Sequence, residues 1–448
     1  MSNIIQEAVD FAIANGLVKY NAGYQLTHAP FSLTPCAISD QLLQGMAELT
    51  PVFNALWLKI ANNSAFLREE LEKTARTDDF VRQLLNLLPA DNTAGARQML
   101  ISRNDFLLTD GGGNLDLIPK QVEFNTISNS FPSLSRQIVL LHRHLHLRGM
   151  LDKAPVANDP LEASVDAMAA AITAYDHPDA CLLMVVQGRE QNIFDQRALE
   201  FRLLEKYRIP TIRLTLEEMS EQATLREGHL AIESRVAALT YFRAGYTPDD
   251  YPGAGSWKAR ELIEASSTIA CPSVAMQLAG AKKVQQLLSR PDTLRMFVDE
   301  SFYDQIRETF VGLYTLDETI GDQSASEMAC KTPERFVLKP QREGGGNNLY
   351  GEEMKQKLRS MSEEEKDAFI LMERIESIVT PSGLVVESTC EDLPSISEIG
   401  RYGLCLAEGK QIIENRDLGY LVRTKSADLD EGGVCAGYAC LNSLCLNE

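Results

Sequence analysis

A chain of 448 residues with 63 acidic against 43 basic side chains carries a formal charge of −20, which argues against a sequence-independent nucleic-acid binder, since phosphate contacts need a basic surface. Its 44% hydrophobic and 24% charged residues suit a globular protein of two or three domains, and no run approaches the roughly 18 apolar residues of a membrane span. Nine cysteines without a C-x-x-C pair point to reduced thiols in a reducing compartment rather than to a disulfide framework.

The first 16 residues read as an amphipathic helix, with Ile5, Val9, Ala12 and Ile13 on one face and a stop at Asn15-Gly16, and they show neither a signal nor a transit pattern. Residues 1 to about 105 read as mainly helical, with helical spacing in 38–49, 52–61 and 80–88. Gly111-Gly112-Gly113 reads as a turn, followed by a strand over 120–125, a Ser-rich loop and a helix over 134–147. In that helix His142 and His146 stand four apart, a spacing open to a metal, but no second ligand cluster accompanies them and a surface or capping role is the simpler reading. From about 180 to 285, strand runs at 181–187, 211–214 and 239–243 alternate with helical runs, the pattern of a parallel βαβ sheet forming its own subdomain. Residues 282–290 read as helix, and the acidic stretch 315–327, which lacks periodicity, reads as a flexible lid linker. The last third is antiparallel in style, with strands at 336–340 and 369–375 and a hairpin of 402–407 with 410–415 around Glu408-Gly409. Cys435, Cys440 and Cys445 recur at intervals that match neither a zinc site nor one helix face and read as small core residues.

The chemistry concentrates in Lys339-Pro-Gln-Arg-Glu-Gly-Gly-Gly-Asn-Asn-Leu-Tyr350-Gly351, which follows the apolar run Phe336-Val337-Leu338. A strand that delivers a Lys, an acid and consecutive glycines into a loop suits a nucleoside triphosphate. Glycines let backbone N–H groups close on phosphate oxygens, Lys339 adds a compact positive charge, and Glu343 can hold Mg²⁺. The competing reading is a plain surface turn. The run is neither a Walker loop nor a Rossmann fingerprint, so a different nucleotide fold is implied. Glu123 and Asn125 alternate at the end of a strand and point to one face, a hard-cation arrangement unless that face is simply solvated. Arg423 and Lys425 precede Gly432-Gly433, the Arg suited to a carboxylate and the Lys to phosphate. Arg189-Glu190-Gln191-Asn192 and Arg243-Ala244-Gly245-Tyr246 each follow a strand run, where α/β units bind ligands. No Ser-His-Asp or Cys-His set stands out, so covalent catalysis is not indicated.

Six segments, in order and across nearly the whole chain, resemble the eukaryotic-type glutathione synthetase family: Gln121-Val-Glu-Phe-Asn-Thr-Ile-Ser-Asn-Ser130, Asn192-Ile-Phe-Asp-Gln196, Gln277-Leu-Ala-Gly-Ala-Lys282-Lys-Val-Gln-Gln286, Lys339 to Gly351, Ser397-Glu398-Ile-Gly400, and Leu421-Val-Arg-Thr-Lys425 with Gly432-Gly433. The resemblance implies a mixed α+β / α/β chain with an ATP-grasp fold of the circularly permuted type. Residues 1–178 would form a helical N-terminal region and part of the core, 179–286 an inserted parallel α/β substrate-binding domain, and 287–448 the rest of the core with glycine-rich lid loops. It also implies a cytoplasmic homodimer, without nucleic-acid or membrane partners, that condenses γ-glutamylcysteine with glycine through an acyl phosphate, using ATP and two Mg²⁺ ions.

By the same resemblance Glu123, Asn125 and Glu343 are similar to the family's Mg²⁺ ligands. Lys282, Lys339, Gln341, Glu343, Gly344, Gly345, Gly346, Asn347, Asn348, Tyr350, Glu398, Lys425 and Glu431 correspond to its ATP contacts, with Met372, Glu373, Arg374 and Ile375 lining the adenine pocket. Peptide contacts are implied for Arg103, Ile127, Ser128, Asn129, Ser130, Glu190, Gln191, Asn192, Gln196, Arg243, Ala244, Gly245, Tyr246, Arg423, Val434 and Cys435, and catalytic roles for Arg103, Arg423 and Lys339. Two positions depart from the family. Glu431 stands where animal members usually have Asp, and Cys435 stands where a small Ala usually faces the incoming amino acid. A homoglutathione-type synthetase taking β-alanine or serine is therefore the alternative, because one methylene in a pocket is worth only about 1–3 kcal/mol.

Overall fold

The computed structural model describes residues 2–90, 97–111, 117–341, 346–430, 432–434, 437 and 439–447. Helix Ser2–Ala14 buries Val9 and Ala12 of the expected face together with Ala8, whereas Ile5 is half-buried and Ile13 is 49% exposed, so the buried stripe is turned towards Ala8. Four short strands that helical spacing does not anticipate follow it: Val18–Tyr20, Leu26–His28, Phe31–Ser32 and Cys36–Ile38. The two helices expected over 38–49 and 52–61 are one, Asp40–Ala61, capped by Ser39, whose side chain accepts from the Leu42 N–H. Pro51 removes one donor inside it, yet the helix continues because Met46, Phe53, Trp57 and Ile60 share one buried face, so packing outweighs the proline.

Among the described residues, 13 strands join in one sheet. At its centre the strand Arg97–Asp110 pairs along one edge, antiparallel, with Thr389–Glu408. Its other edge is divided: Ala270 of the strand Ile269–Cys271 lies parallel beside Gln98, whereas Arg103 to Asp110 pair antiparallel with the strand Leu117–Asn125. Beyond Ile269–Cys271 come the parallel strands Arg235–Phe242, Ala180–Val185 and Thr211–Leu214, close to the expected runs. Hydrogen bonds thus join the parallel and antiparallel halves in one sheet. The hairpin around Glu408-Gly409 is where expected but far longer, Thr389–Glu408 against Gln411–Ser426.

Helix Asp40–Ala61 covers one face of the sheet, where Phe53 and Trp57 meet Phe106 and Phe124. Helices Pro132–Leu147 and Pro160–Tyr175 cover the other, with Ile138, Leu141, Val165 and Met168 against Met99, Ile101 and Tyr402. The central strand is absent from the sequence reading because it is buried on both faces and its apolar run is interrupted by Arg103-Asn104-Asp105, so neither alternation nor a continuous apolar stretch marks it.

A separate small sheet, Leu313–Tyr314, Phe369–Glu373 and Phe336–Pro340, has its own core of Leu316, Ala325, Phe336, Leu338, Met354 and Leu371. The stretch 315–327 is folded here, which corrects its reading as a linker. It holds a hairpin, Thr319–Ile320 with Gln323–Ser324, and the start of helix Ala325–Lys331, whose capping box joins Ser324 and Glu327. Two-residue strands are too short to leave a period, while Leu316 and Ala325 anchor the stretch in the core.

His142 is neither a surface nor a capping residue. It is fully buried; its Nε2–H donates to the Ser32 carbonyl at 2.8 Å, and its Nδ1 accepts from the Ser443 hydroxyl at 2.7 Å. One neutral tautomer satisfies both bonds, His146 turns to the Leu151 carbonyl instead, and the described residues contain no group of three metal-binding side chains. Burial pushes the His142 pKa from 6.5 down to about 4, against a smaller opposing effect of the Ser32 carbonyl. The unfolded chain therefore binds a proton here that the folded chain refuses, so this contribution is fully present above pH 6.5 and is lost as pH falls towards 4. Between pH 7.5 and pH 5 the loss is expected to be about 2 kcal/mol. Urea unfolding of the wild type and of His142→Gln at the two pH values measures it, and an equal pH dependence in both would contradict the assignment.

Candidate active site

Pairing register builds the floor of a cleft. Arg103 lies opposite Asn125 on one side and Tyr402 on the other, Asp105 lies between Glu123 and Gly400, and Glu398 faces Arg423. Directly paired residues share a face, so the face on which Met99 and Ile101 enter the core continues along the same strand into Arg103 and Asp105. Gly400 makes room for this crossing: a Cβ there would lie 2.5 Å from Asp105 Oδ1 and 2.9 Å from Arg103 Cδ.

Arg103 donates from Nε to Asp105 Oδ1 at 2.7 Å and from Nη2 to Oδ2 at 2.8 Å. Arg423 Nη2 donates to the same Oδ2 at 3.1 Å and to Glu398 Oε1. Asn125 Nδ2 donates to Asp105 Oδ2 at 3.0 Å. Burial alone would depress the Arg103 pKa, but the Asp105 carboxylate reverses that and raises it. For Glu398, burial raises the pKa, and the proximity of Asp105 and Glu123 adds to this despite Arg423.

Two lysines approach from other elements. Lys282, opening helix Lys282–Leu288, places Nζ 3.4 Å from Glu123 Oε2, and Lys339, from the small sheet, donates to the Val122 carbonyl at 3.1 Å. Burial would raise the Glu123 pKa, but Lys282, Lys339, Arg103 and Arg423 outweigh it and hold the group at about 2. Glu123 is thus ionised at neutral pH, and with Nδ2 of Asn125 engaged the amide oxygen is the atom left for a ligand. This pair of hard oxygen donors fits a Mg²⁺ site.

At one end Met372, Glu373, Arg374 and Ile375 line the cleft beside Asn348 and Tyr350. Asp430, which the sequence reading does not single out, ties this wall together: its carboxylate accepts from Arg374 at 2.8 Å and its carbonyl from Lys425 Nζ at 2.6 Å. At the other end lies the loop 127–131, held in left-handed conformation at Ser128 and Phe131. Asp195, buried in helix Ile193–Tyr207, accepts from the Phe131 N–H at 2.8 Å and the Ser133 N–H at 2.9 Å, and so caps helix Pro132–Leu147 from outside. Glu190 accepts from the Asn192 N–H at 2.7 Å and from Gln196 Nε2 at 3.0 Å. Asn192 is 2% exposed and lines the cleft, yet neither atom of its amide has a hydrogen-bond partner among the described residues. A buried amide left open in this way is suited to a ligand.

Most of the expected residues meet here. Arg103, Glu123, Asn125, Ile127 to Ser130, Glu190 to Asn192, Tyr246, Lys282, Lys339, Gly346, Asn348, Tyr350, Met372 to Ile375, Glu398, Arg423, Lys425 and Val434 line one cleft of about 670 Å³, within the roughly 300–1,000 Å³ of small-molecule sites. Gln196, Arg243, Ala244, Gly245, Gln341 and Asn347 are not among its lining residues. Gln196 and Arg243 stand behind it, the latter donating to Ser130 Oγ at 2.7 Å, and Gln341 accepts from the Lys283 N–H. Glu343, Gly344, Gly345, Glu431 and Cys435 lie outside the described residues. Sequence reasoning misses Asp105, Asp430 and Tyr24, whose ring lies 4.6 Å beneath the Arg189 guanidinium at the mouth. An Arg and an Asp two apart would have marked Asp105, had the strand been recognised.

Residues 1–446 match the family model described as eukaryotic glutathione synthase, ATP binding domain. The chain belongs to this family. It is 38% identical over 465 residues to the glutathione synthetase of Homo sapiens, covering 99% of this chain and 96% of the relative. It is 36% identical over 469 residues to the chloroplastic glutathione synthetase of Arabidopsis thaliana, covering 100% and 85%. In structure it resembles a glutathione synthetase-like effector from Globodera pallida in its apo form, with a TM-score of 0.78 over 99% of this chain and 96% of that one. At 19% identity that likeness speaks for the mixed α/β fold alone. Among the described residues no helix is long and apolar enough to cross a membrane.

Proposed function

We propose that this cleft joins γ-glutamylcysteine to glycine using ATP, with the residues above in specific roles. The chain is an ATP-dependent ligase of glutathione biosynthesis, consistent with its match to the family over residues 1–446. The observation that carries the residue assignment is the convergence of Lys282, Lys339, Arg103 and Arg423 on one carboxylate, Glu123, from separate parts of the chain.

In this reading Lys282 and Lys339 bind the phosphates, and residues 372–375 hold the base. Glu123, Asn125 and Glu343 hold two Mg²⁺ ions, which when bound offset the charge of the phosphate oxygens. Glu190 takes the α-amino group of the dipeptide, and the open amide of Asn192 bonds its polar end. The terminal carboxylate of the dipeptide attacks the γ-phosphorus, ADP leaves, and an acyl phosphate forms. The glycine amine adds to its carbonyl carbon, and phosphate departs as the amide forms. Arg103 and Arg423 neutralise charge at the reacting carboxyl, and the glycine loops exclude water that would hydrolyse the acyl phosphate. The proposal extends to a homodimer in the cytoplasm with a circularly permuted ATP-grasp core over 1–178 and 287–448 around a substrate-binding unit over 179–286. Eight free cysteines among the described residues agree with a reducing compartment.

ADP release by the purified protein with Mg-ATP and γ-glutamylcysteine, run with glycine, β-alanine, serine or no amine, is the test. Release that depends on glycine is expected. Preference for β-alanine or serine would move the assignment to a homoglutathione-type enzyme, and no release with any amine would overturn the ligase reading.

A further inference from the structure

We propose that Asp105 is a positioning residue of this site, its one carboxylate setting the orientation of the guanidinium groups of both Arg103 and Arg423. The inference rests on the ligase reading above. Asp105 is completely buried beneath the floor of the cleft, whereas Arg103 and Arg423 line it, so Asp105 acts on a ligand through them. Both oxygens are engaged by Arg103, which presents Nε and Nη2 as a two-pronged fork at 2.7 and 2.8 Å. That geometry fixes the plane of the guanidinium and leaves both N–H groups of Nη1 and the second N–H of Nη2 to other acceptors.

Arg423 reaches the same Oδ2 at 3.1 Å from the far side of the intervening strand. Two guanidinium groups this close repel one another, and the carboxylate between them makes their joint placement stable. Asn125 Nδ2 donates to that oxygen as well, so a single side chain sets three of the polar groups that face the cleft. The surroundings are shaped for the purpose: Gly400 on the neighbouring strand leaves the space that Asp105 Oδ1 and the Arg103 stem occupy.

Asp105→Asn in the full chain keeps the shape and turns an acceptor into an amide donor aimed at an N–H group. It is expected to lower kcat by about 10- to 100-fold and to raise the KM for ATP by a smaller factor, since Asn125 loses an acceptor while the lysines proposed to bind phosphate are untouched. In an Arg103→Ala background the same change is expected to lower kcat by clearly less than it does in the wild type, because one of the two arginines through which Asp105 acts has gone and only Arg423 remains. A kcat for Asp105→Asn within 2-fold of wild type, or an undiminished loss in the Arg103→Ala background, overturns the proposal. Should Asp105→Asn not melt cooperatively, Gly400→Ala carries the test. It keeps the carboxylate but intrudes on its place, and the same selective loss of kcat is expected, while unchanged kcat overturns the idea. Wild-type protein without ADP release with glycine, β-alanine or serine would overturn the ligase reading and this inference with it. Active wild type with an equally active Asp105→Asn variant overturns the inference alone.

Discussion

Arg103→Lys is expected to lower kcat by about 10²- to 10³-fold, the usual loss when one preorganised donor to a developing charge is removed. The side chain is 8% exposed and already gives two N–H groups to Asp105. A guanidinium can hold that fork and still turn a third nitrogen to the reacting carboxyl. An ammonium is a compact point charge on a flexible stem and cannot do both in one geometry. The substitution preserves charge, so a loss on this scale reports orientation rather than the overall field. KM for ATP is expected to stay within about 3-fold, because the lysines proposed to bind phosphate lie on other elements. Steady-state ADP release over a range of ATP and dipeptide concentrations separates the two constants. Full turnover in Arg103→Lys would remove Arg103 from the reacting centre.

Trp57→Ala is expected to destabilise the fold by about 3–5 kcal/mol, the range for deleting a large buried aromatic side chain. Trp57 is fully buried, its ring 4.0 Å from that of Phe124 and nearly parallel to it at 19°. Phe124 sits between Glu123 and Asn125 in sequence, and strand alternation sends it to the opposite face. The stack therefore backs the strand that presents both proposed Mg²⁺ ligands. Removing the indole leaves a cavity directly behind them, so weaker Mg-ATP binding is expected along with the lower stability. Urea unfolding followed by circular dichroism is the suitable measurement, because Trp57 is one of only two tryptophans and its fluorescence disappears with it. A loss below about 1 kcal/mol would mean that the strand is held by its ladder hydrogen bonds and not by the aromatic layer.

Much of the site was legible because its chemistry lies in contiguous words. Residues 121–130, 277–286, 339–351 and 421–425 set cations, acids, amides or glycines into strand or helix signals, and those words identify the family without any long-range information. The shortest elements escaped, as with the hairpin at 319–324, because a two-residue strand leaves no period to read.

By itself, then, the sequence determined what is local: the amphipathic N-terminal helix, the parallel strands with their intervening helices, and membership of a ligase family. Contact between distant segments was decided only by tertiary structure. Arg103, Glu123, Lys282, Lys339 and Arg423 become neighbours through sheet register and helix docking, and their combined field holds Glu123 ionised in a partly buried place. Asp195 caps the start of a helix at Ser133, 62 residues before it, and His142 turns from an expected surface or capping residue into a neutral core group bonded to Ser443. Asp105 shows the distinction most clearly. Its one signal in sequence, an Arg two residues before it, is legible only once the strand is known. Its role arises because three strands bring two arginines and an asparagine to one buried carboxylate, where low dielectric makes every unpaired charge costly and every paired one directional.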